Sequence, residues 1–275
     1  MTTQLAVLGS PIAHSKSPAL HDAAYGVLGL DWRYGAVDVT ERGLSKFVTG
    51  LDDSWRGLSL TMPLKRDILP LLDETDPVAA LTGAANTVAL AGGTRRGFNT
   101  DVYGITRAFR DAGVDRLDSV WILGGGATAA SVLVAVQQLG AREITLLVRS
   151  PTKASALVDL AEALGVCLGV RPLDSSLPSA IPDAVISTLP GHAEHSIRLP
   201  ADLRRRSVLF DVAYSPWPSE FATDWYSENG TVISGLDMLI NQALAQVRIF
   251  VSGDPATELD NEPAVLAAMR AAVGS

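Results

Sequence analysis

A single cysteine, Cys167, is all that the sequence offers for thiol chemistry. An internal disulfide and a cysteine-built metal centre are therefore excluded, and a reducing compartment is expected. Basic residues are also few: 22 lysines and arginines face 30 aspartates and glutamates, a formal net charge of −8. A surface of that sign repels phosphate backbones, and no basic cluster offsets it, so no nucleic-acid partner is expected. No apolar run is long enough to cross a bilayer. The start, Met1-Thr2-Thr3-Gln4, enters a strand-like stretch without a basic and then apolar leader, so no membrane partner is expected and the cytoplasm is the expected address. The four histidines, His14, His21, His192 and His195, show no metal-ligand spacing. They are read as surface or capping residues, and no metal is expected.

What is abundant is apolar: 47% of 275 residues are hydrophobic, enough for one large core or two modest ones. Apolar runs at Leu5–Leu8, Tyr34–Val39 and Trp55–Leu60 alternate with helix-like stretches at Pro18–Leu28 and Arg42–Leu51, a βαβ rhythm. Ala91-Gly92-Gly93-Thr94 reads as a hairpin turn. A second set follows: strand Val120–Leu123, helix Ala127–Leu139, strand Glu143–Val148, helix Pro151–Leu164, then strands near Cys167–Arg171, Ala184–Ser187, Val208–Asp211 and Thr231–Ser234. That order predicts a doubly wound sheet. Leu236, Leu239, Ile240, Ala243, Val247 and Phe250 recur at helical spacing, so one face of this helix is to be buried. A last helix follows Asp260 and Asn261, possible N-caps, with Pro263 in its first turn.

Gly124-Gly125-Gly126-Ala127-Thr128-Ala129 lies between strand and helix and matches G-x-G-x-x-A in the context that gives the pattern meaning. Glycines let the backbone approach a pyrophosphate, and the helix start supplies free N–H groups and partial positive charge. Where NAD enzymes place an acid for the ribose 2′-hydroxyl, about 20 residues on, this chain has Val148-Arg149-Ser150. Arg149, Ser150 and Lys153 suit a 2′-phosphate, so NADP is the expected cofactor.

Ser15 and Ser17 flank Lys16 just before Pro18. Ser17 is read as the N-cap, and two hydroxyls beside free helix N–H groups make a carboxylate receptor. Lys65, in Thr61-Met62-Pro63-Leu64-Lys65, follows a strand, with Pro63 expected to open a short helix. Asp101 falls in the first turn of a helix, where the dipole favours it for structural reasons alone. Together Lys65 and Asp101 would form an acid/base pair.

Gly9-Ser10-Pro11-Ile12-Ala13-His14-Ser15-Lys16-Ser17-Pro18, Thr61-x-Pro63-x-Lys65, Gly83-Ala84-Ala85-Asn86-Thr87, Asn99-Thr100-Asp101 and Gly235-Leu236-Asp237-Met238-Leu239-x-x-Gln242-Ala243, in this order, resemble the shikimate dehydrogenase family across essentially the whole chain. The resemblance implies an α/β fold: a substrate-binding α/β domain (1–101), a Rossmann NADP-binding domain (102–235), and C-terminal helices (236–275) returning to the substrate domain. It implies reversible NADPH-dependent reduction of 3-dehydroshikimate to shikimate, on the route to chorismate and aromatic amino acids, in a cleft between two domains. Ser15 and Ser17, assisted by Tyr214, would hold the substrate carboxylate. Asn86, Asp101, Thr61 and Gln242 would bind the ring hydroxyls, with Lys65 as acid/base and Asp101 its partner. Ser187 and Thr188 resemble a loop near the nicotinamide, and Gly235 and Met238 would join Gly124, Gly125, Gly126, Ala127 and Thr128 in the cofactor site. The protein is expected as a monomer or homodimer.

There are departures. Ser59-Leu60-Thr61 stands where the family usually has Asn-Val-Thr, Gly-Gly-Gly-Ala replaces Gly-Ala-Gly-Gly, and Val148-Arg149-Ser150 replaces Asn-Arg-Thr. Two alternatives stay open at this stage: an NAD-dependent quinate/shikimate dehydrogenase, and a non-catalytic protein that senses a metabolite.

Overall fold

The computed structural model describes residues 2–190 and 197–274. Strand β1 (Thr3–Gly9) is buried from Leu5 onward and pairs in parallel on both sides, with β2 (Trp32–Asp38) and β3 (Trp55–Leu60). Burial on both faces explains why it reads as a continuous apolar run. Between β1 and β2 lies α1 (Ser17–Leu28), with Ser17, Leu20, His21, Ala24 and Tyr25 buried; α2 (Glu41–Thr49) joins β2 to β3. Then come β4 (Glu74–Thr75), α3 (Pro77–Thr82), β5 (Thr87–Ala91) and β6 (Thr94–Phe98). β5 and β6 pair antiparallel across Gly92 and Gly93, whose positive φ values of 58° and 81° give the tight turn between them. The sheet order is β2-β1-β3-β5-β6-β4.

Helix α4 (Asp101–Asp111) leads to a second sheet. Its elements are β7 (Ser119–Leu123), α5 (Ala127–Gln138), β8 (Glu143–Val148), α6 (Ser155–Leu164), β9 (Cys167–Pro172), β10 (Ala184–Ser187), α7 (Ala201–Arg206), β11 (Val208–Asp211), α8 (Glu220–Tyr226) and β12 (Val232–Ser234). The order is β12-β11-β10-β7-β8-β9 and every pairing is parallel. Strand order therefore reverses between β7 and β10, the position where doubly wound sheets bind ligands. The helix expected over Pro151–Leu164 is divided: a short 3₁₀ turn at Pro151–Lys153 closes through Lys153 N–H to Ser150 C=O (3.0 Å), and α6 starts at Ser155.

Helices α9 (Gly235–Ser252) and α10 (Glu262–Val273) complete the chain. Two compact units result, Met1–Gly104 with Leu239–Ser275, and Ile105–Met238. In the first, α10 packs against α1, Arg56 donates to the Phe250 carbonyl at 2.7 Å, and a side chain at Gly57 would strike the Phe250 ring. Asn261 precedes α10 in the left-handed conformation and makes no side-chain cap; Glu262 beside it instead pairs with Arg248. The core of the first unit gathers Leu8, Leu44, Leu58, Leu64, Ile68 and Val88. That of the second gathers Leu123, Leu147, Val185, Leu209 and Trp225. Among the described residues no helix is long and apolar enough to cross a membrane.

Candidate active site

In the first unit the chain leaves β3 at Thr61, whose N–H donates to the Leu8 carbonyl (2.9 Å). No helix starts at Pro63. Residues 62–68 form successive turns, closed by Leu64 N–H to Thr61 C=O (2.9 Å) and Ile68 N–H to Leu64 C=O (3.1 Å). The Lys65 carbonyl accepts the Ala85 N–H (2.8 Å) and the Leu69 N–H turns to the Arg66 carbonyl (3.2 Å), so the regular four-residue ladder is broken here. Leu64 and Ile68 are fully buried and anchor the segment from below, leaving the Lys65 side chain 15% exposed. Its Nζ donates to Asp101 Oδ2 at 2.5 Å. Asp101, buried at 3% exposure, stands at the start of α4, and its N–H donates to Asn99 Oδ1 (3.0 Å). Asn99 is itself fixed, donating to Thr82 Oγ1 (2.9 Å) and the Ala84 carbonyl (3.1 Å).

Asn86 joins this pair from the loop before β5. Its Nδ2 donates to Asp101 Oδ1 (2.8 Å) and lies within reach of Thr100 Oγ1 (2.9 Å) and Gln242 Oε1 (3.2 Å). Two hydrogens face three acceptors, and the Thr100 hydroxyl in turn lies within reach of Gln242 Oε1 (3.3 Å) and Asn86 Oδ1 (3.2 Å) as a donor. Gln242, on α9, is buried, and its Nε2 donates to the Leu239 carbonyl (2.9 Å). Thr61 is half-buried.

Ser15 and Ser17 exchange their expected roles. Lys16, not Ser17, occupies the cap position of α1 and makes no side-chain cap. Ser15 Oγ instead accepts the Ser17 N–H at 3.3 Å. Ser17 begins the helix with its side chain buried, and its hydroxyl has no hydrogen-bond partner among the described residues.

In the second unit, Gly124 has φ of 102°, open to glycine alone, and a methyl added there would lie 2.5 Å from Thr188 Oγ1. A methyl on Gly125 would press on Val148 Cγ1 at 3.0 Å, while one on Gly126 would meet nothing within 4 Å. The first glycine is thus required by the protein's own packing, and the third leaves space open. Gly125 and Gly126 are exposed, Ala127 and Thr128 half-buried, and no side chain caps α5, so its first N–H groups are free for an anion. A cavity of about 560 Å³ adjoins them, lined by Gly125, Gly126, Val148, Arg149, Ser150 and Lys153. Arg149 and Lys153 are exposed and make no ion pair among the described residues. Thr188 Oγ1 donates to the Leu123 carbonyl (2.9 Å), and Ser187 is buried at the end of β10. The fit to a dinucleotide phosphate is good: free helix amides, an open glycine and two unpaired cations share one cavity.

Over 259 residues the chain is 34% identical to the shikimate dehydrogenase (NADP(+)) of Methanothermobacter thermautotrophicus, spanning 90% of this chain and 91% of that one. The chain belongs to the shikimate dehydrogenase family. The family's profile for the shikimate dehydrogenase substrate binding domain matches residues 7–88, which include Lys65 and Asn86. The structure of Mycobacterium tuberculosis shikimate dehydrogenase superposes with a TM-score of 0.83 at 36% identity, over 98% of this chain and 99% of that one. That of the Thermus thermophilus shikimate 5-dehydrogenase, in complex with NADP(H) and shikimate, gives 0.81 at 30% identity, over 98% and 100%.

Of the residues matched to the family's motifs, Lys65, Asn86, Asp101 and Gln242 converge. Tyr214, half-buried with its hydroxyl pushed up from the usual phenol range by burial, lies in the second unit with Gly235 and the buried Met238. Gly235 is demanded by packing, since a side chain there would collide with the Val212 carbonyl. His192 and His195 lie outside the described residues. His14 is exposed, but His21 is not a surface residue: it is 0% exposed and stacks on the Tyr34 ring at 3.9 Å. Burial pushes its imidazole down to about 3 and pushes the Tyr25 and Tyr34 hydroxyls up. Its place on the buried stripe Leu20, His21, Ala24, Tyr25 was a signal available in the helical spacing. Gln246, one turn beyond Gln242, was missed as well. It reaches Asn86 and Thr87 on one side and Ser59 and His21 on the other. Ser59, where the family usually carries Asn, is therefore tied to α9.

Proposed function

We propose that the protein catalyses the reversible NADPH-dependent reduction of 3-dehydroshikimate to shikimate, a step toward aromatic amino acids. The observation that carries the reading is the 2.5 Å Lys65–Asp101 pair, held by Asn86 and adjoined by Gln242, in a chain whose relatives are named for this activity. The chain is an oxidoreductase by family, and NADP is its cofactor; when bound, NADPH supplies the hydride to the ring carbonyl carbon. Lys65 Nζ gives a proton to the carbonyl oxygen as negative charge develops there, yielding the alcohol, and takes that proton back in the reverse direction. Asp101 holds the ammonium in place and accepts one of its hydrogens throughout. Asn86, Gln242 and Thr61 orient the ring hydroxyls, and the unbonded Ser17 hydroxyl, with Ser15, receives the carboxylate at the start of α1. The first unit is the substrate-binding part. In the second, the free amides of α5 take the pyrophosphate and Arg149 with Lys153 the 2′-phosphate.

The experiment follows NADPH absorbance with shikimate plus NADP, beside shikimate plus NAD, quinate plus NADP and quinate plus NAD. Fast reduction in the first cell alone is expected. Dominant turnover of quinate or use of NAD would place the protein on the quinate branch, and shikimate binding without turnover would make it a metabolite sensor.

A further inference from the structure

Behind Asn86 lies a buried polar chain in which the hydrogens of Gln246, Ser59, His21 and Thr87 can be assigned. Gln246 Nε2 lies 3.2 Å from the backbone carbonyl of Asn86, a pure acceptor, so that end of the side chain is the NH2 group. Gln246 Oε1 therefore faces Ser59 Oγ (3.0 Å) and His21 Nε2 (3.2 Å) as acceptor, and both must donate to it. With its hydrogen spent, Ser59 accepts from the Tyr34 hydroxyl (2.6 Å). His21 then carries its proton on Nε2 and accepts the Tyr25 hydroxyl on Nδ1 (3.1 Å). On the other side Gln246 Nε2 donates to Thr87 Oγ1 (3.0 Å), so the Thr87 hydrogen is directed to Asn86 Oδ1 (2.8 Å). Asn86 Oδ1 also accepts the Thr100 N–H (2.9 Å), leaving the Asn86 NH2 to face Asp101 Oδ1 (2.8 Å). A carboxamide costs more to bury on an apolar helix face than Leu or Met unless every partner is made. Here every partner is made, and the chain ends on the Lys65–Asp101 pair.

We propose that Gln246 is a positioning residue for the reaction: it sets the direction of the Thr87 hydroxyl, which with the Thr100 N–H holds the carboxamide of Asn86, and Asn86 keeps Asp101 aligned on Lys65. This rests on the reading of Lys65 and Asp101 given above. His21, neutral and stacked, backs Gln246 from the far side and fixes which end of its amide points to Thr87.

The test uses the full chain as Gln246→Met, Thr87→Val, Thr87→Ser and the Gln246→Met/Thr87→Val double variant. A loss of about tenfold in kcat for shikimate is expected for Gln246→Met and for Thr87→Val, with KM changed by less than about threefold, because small misplacements at a reacting centre act mainly on turnover. Thr87→Ser, which keeps the hydroxyl, should return to near wild type. The double variant should lose no more than the worse single, since both break one chain. Losses that multiply, or an unchanged kcat with lowered thermal stability, would make Gln246 a packing residue only. Should Gln246→Met fail to fold, the isosteric Thr87→Val and Thr87→Ser pair decides. A second readout needs no turnover: with nitrogen-15 asparagine labelling, the Asn86 side-chain NH2 signals, assigned by their loss in Asn86→Asp, should shift and exchange faster with water in Thr87→Val but not in Thr87→Ser. Unmoved signals overturn the proposal. A wild type that does not turn over shikimate overturns the functional reading instead, and the asparagine signals still decide the role of Gln246.

Discussion

Replacing Asp101 by Asn changes almost no volume yet removes something the site has no substitute for. Both carboxylate oxygens are acceptors, Oδ2 of the Lys65 ammonium at 2.5 Å and Oδ1 of the Asn86 amide at 2.8 Å. A carboxamide offers one such oxygen, so in either orientation it turns an N–H toward another donor. The lost charge-assisted bond is worth roughly 1.5–3 kcal/mol and the stranded donor roughly 1–3 kcal/mol more. Placed wholly on the transition state, that sum corresponds to roughly 10²–10⁴ in rate. Lys65 keeps some access to water at 15% exposure, so the lower part of the range, about 10²–10³ in kcat, is expected. Lys65→Ala should lose several orders of magnitude in kcat with KM nearly unchanged, because proton transfer acts in the transition state. The assay is initial NADPH formation from shikimate for both single variants and the double. The double should be little worse than Lys65→Ala alone, as expected of groups acting as a unit. An Asp101→Asn enzyme within about threefold of wild type, or losses that multiply in the double, would refute the pairing as the working part of the site.

The glycine turn separates packing from ligand binding. Gly126→Ala should leave the melting temperature unchanged and raise KM for NADPH, since a methyl there meets only open space; Gly124→Ala should lower both stability and cofactor affinity, through its φ of 102° and the Thr188 hydroxyl. If Gly126→Ala left KM for NADPH alone, the cavity beside it would not be the phosphate site. Arg149→Ala should weaken NADPH by about 10–100-fold while leaving NADH little changed, the effect of one charge-assisted phosphate contact; equal weakening of both would place the guanidinium elsewhere. For pH, His21 is held near 3 when folded against an ordinary 6.5, so the unfolded chain takes up a proton that the folded chain refuses. Stability should fall as pH drops below 6.5, by about 1.4 kcal/mol per unit, until the folded value near 3 is reached. Urea unfolding across this range should show a shallower acid limb for His21→Gln by one proton, and an unchanged limb would contradict the buried neutral imidazole.

Local signals carried much of the fold. The strand, turn and helix around Gly124, Gly125 and Gly126 all agree with one another, and β7 to β9 follow within a residue or two of their apolar runs. Short elements were not visible this way: α3 and α8 span six and seven residues, too few for a hydrophobic period. Their caps were readable, since Asp76 accepts from the Ala79 N–H and Ser219 from the Ala222 N–H. The Pro63 turn escaped because its conformation depends on Ala85, a residue 20 positions further on that takes the Lys65 carbonyl. Lys65 and Asp101 are each ordinary alone, and the family motifs singled them out. Gln246 had neither signal: its partner His21 is 225 residues away, and a glutamine on a helix otherwise built for burial carries no mark of what it touches.

The order in which the units are written along the chain bears on how the protein comes off the ribosome. Residues 105–238 hold the whole of the second sheet in one stretch, so that unit can close while synthesis continues. The first unit, begun earliest, waits for residues 239–275. Until they emerge, α1 lacks α10, and Ser59, Asn86, Thr87 and His21 lack the amide of Gln246. The half translated first is finished last, its buried polar chain open to water until the final two helices arrive.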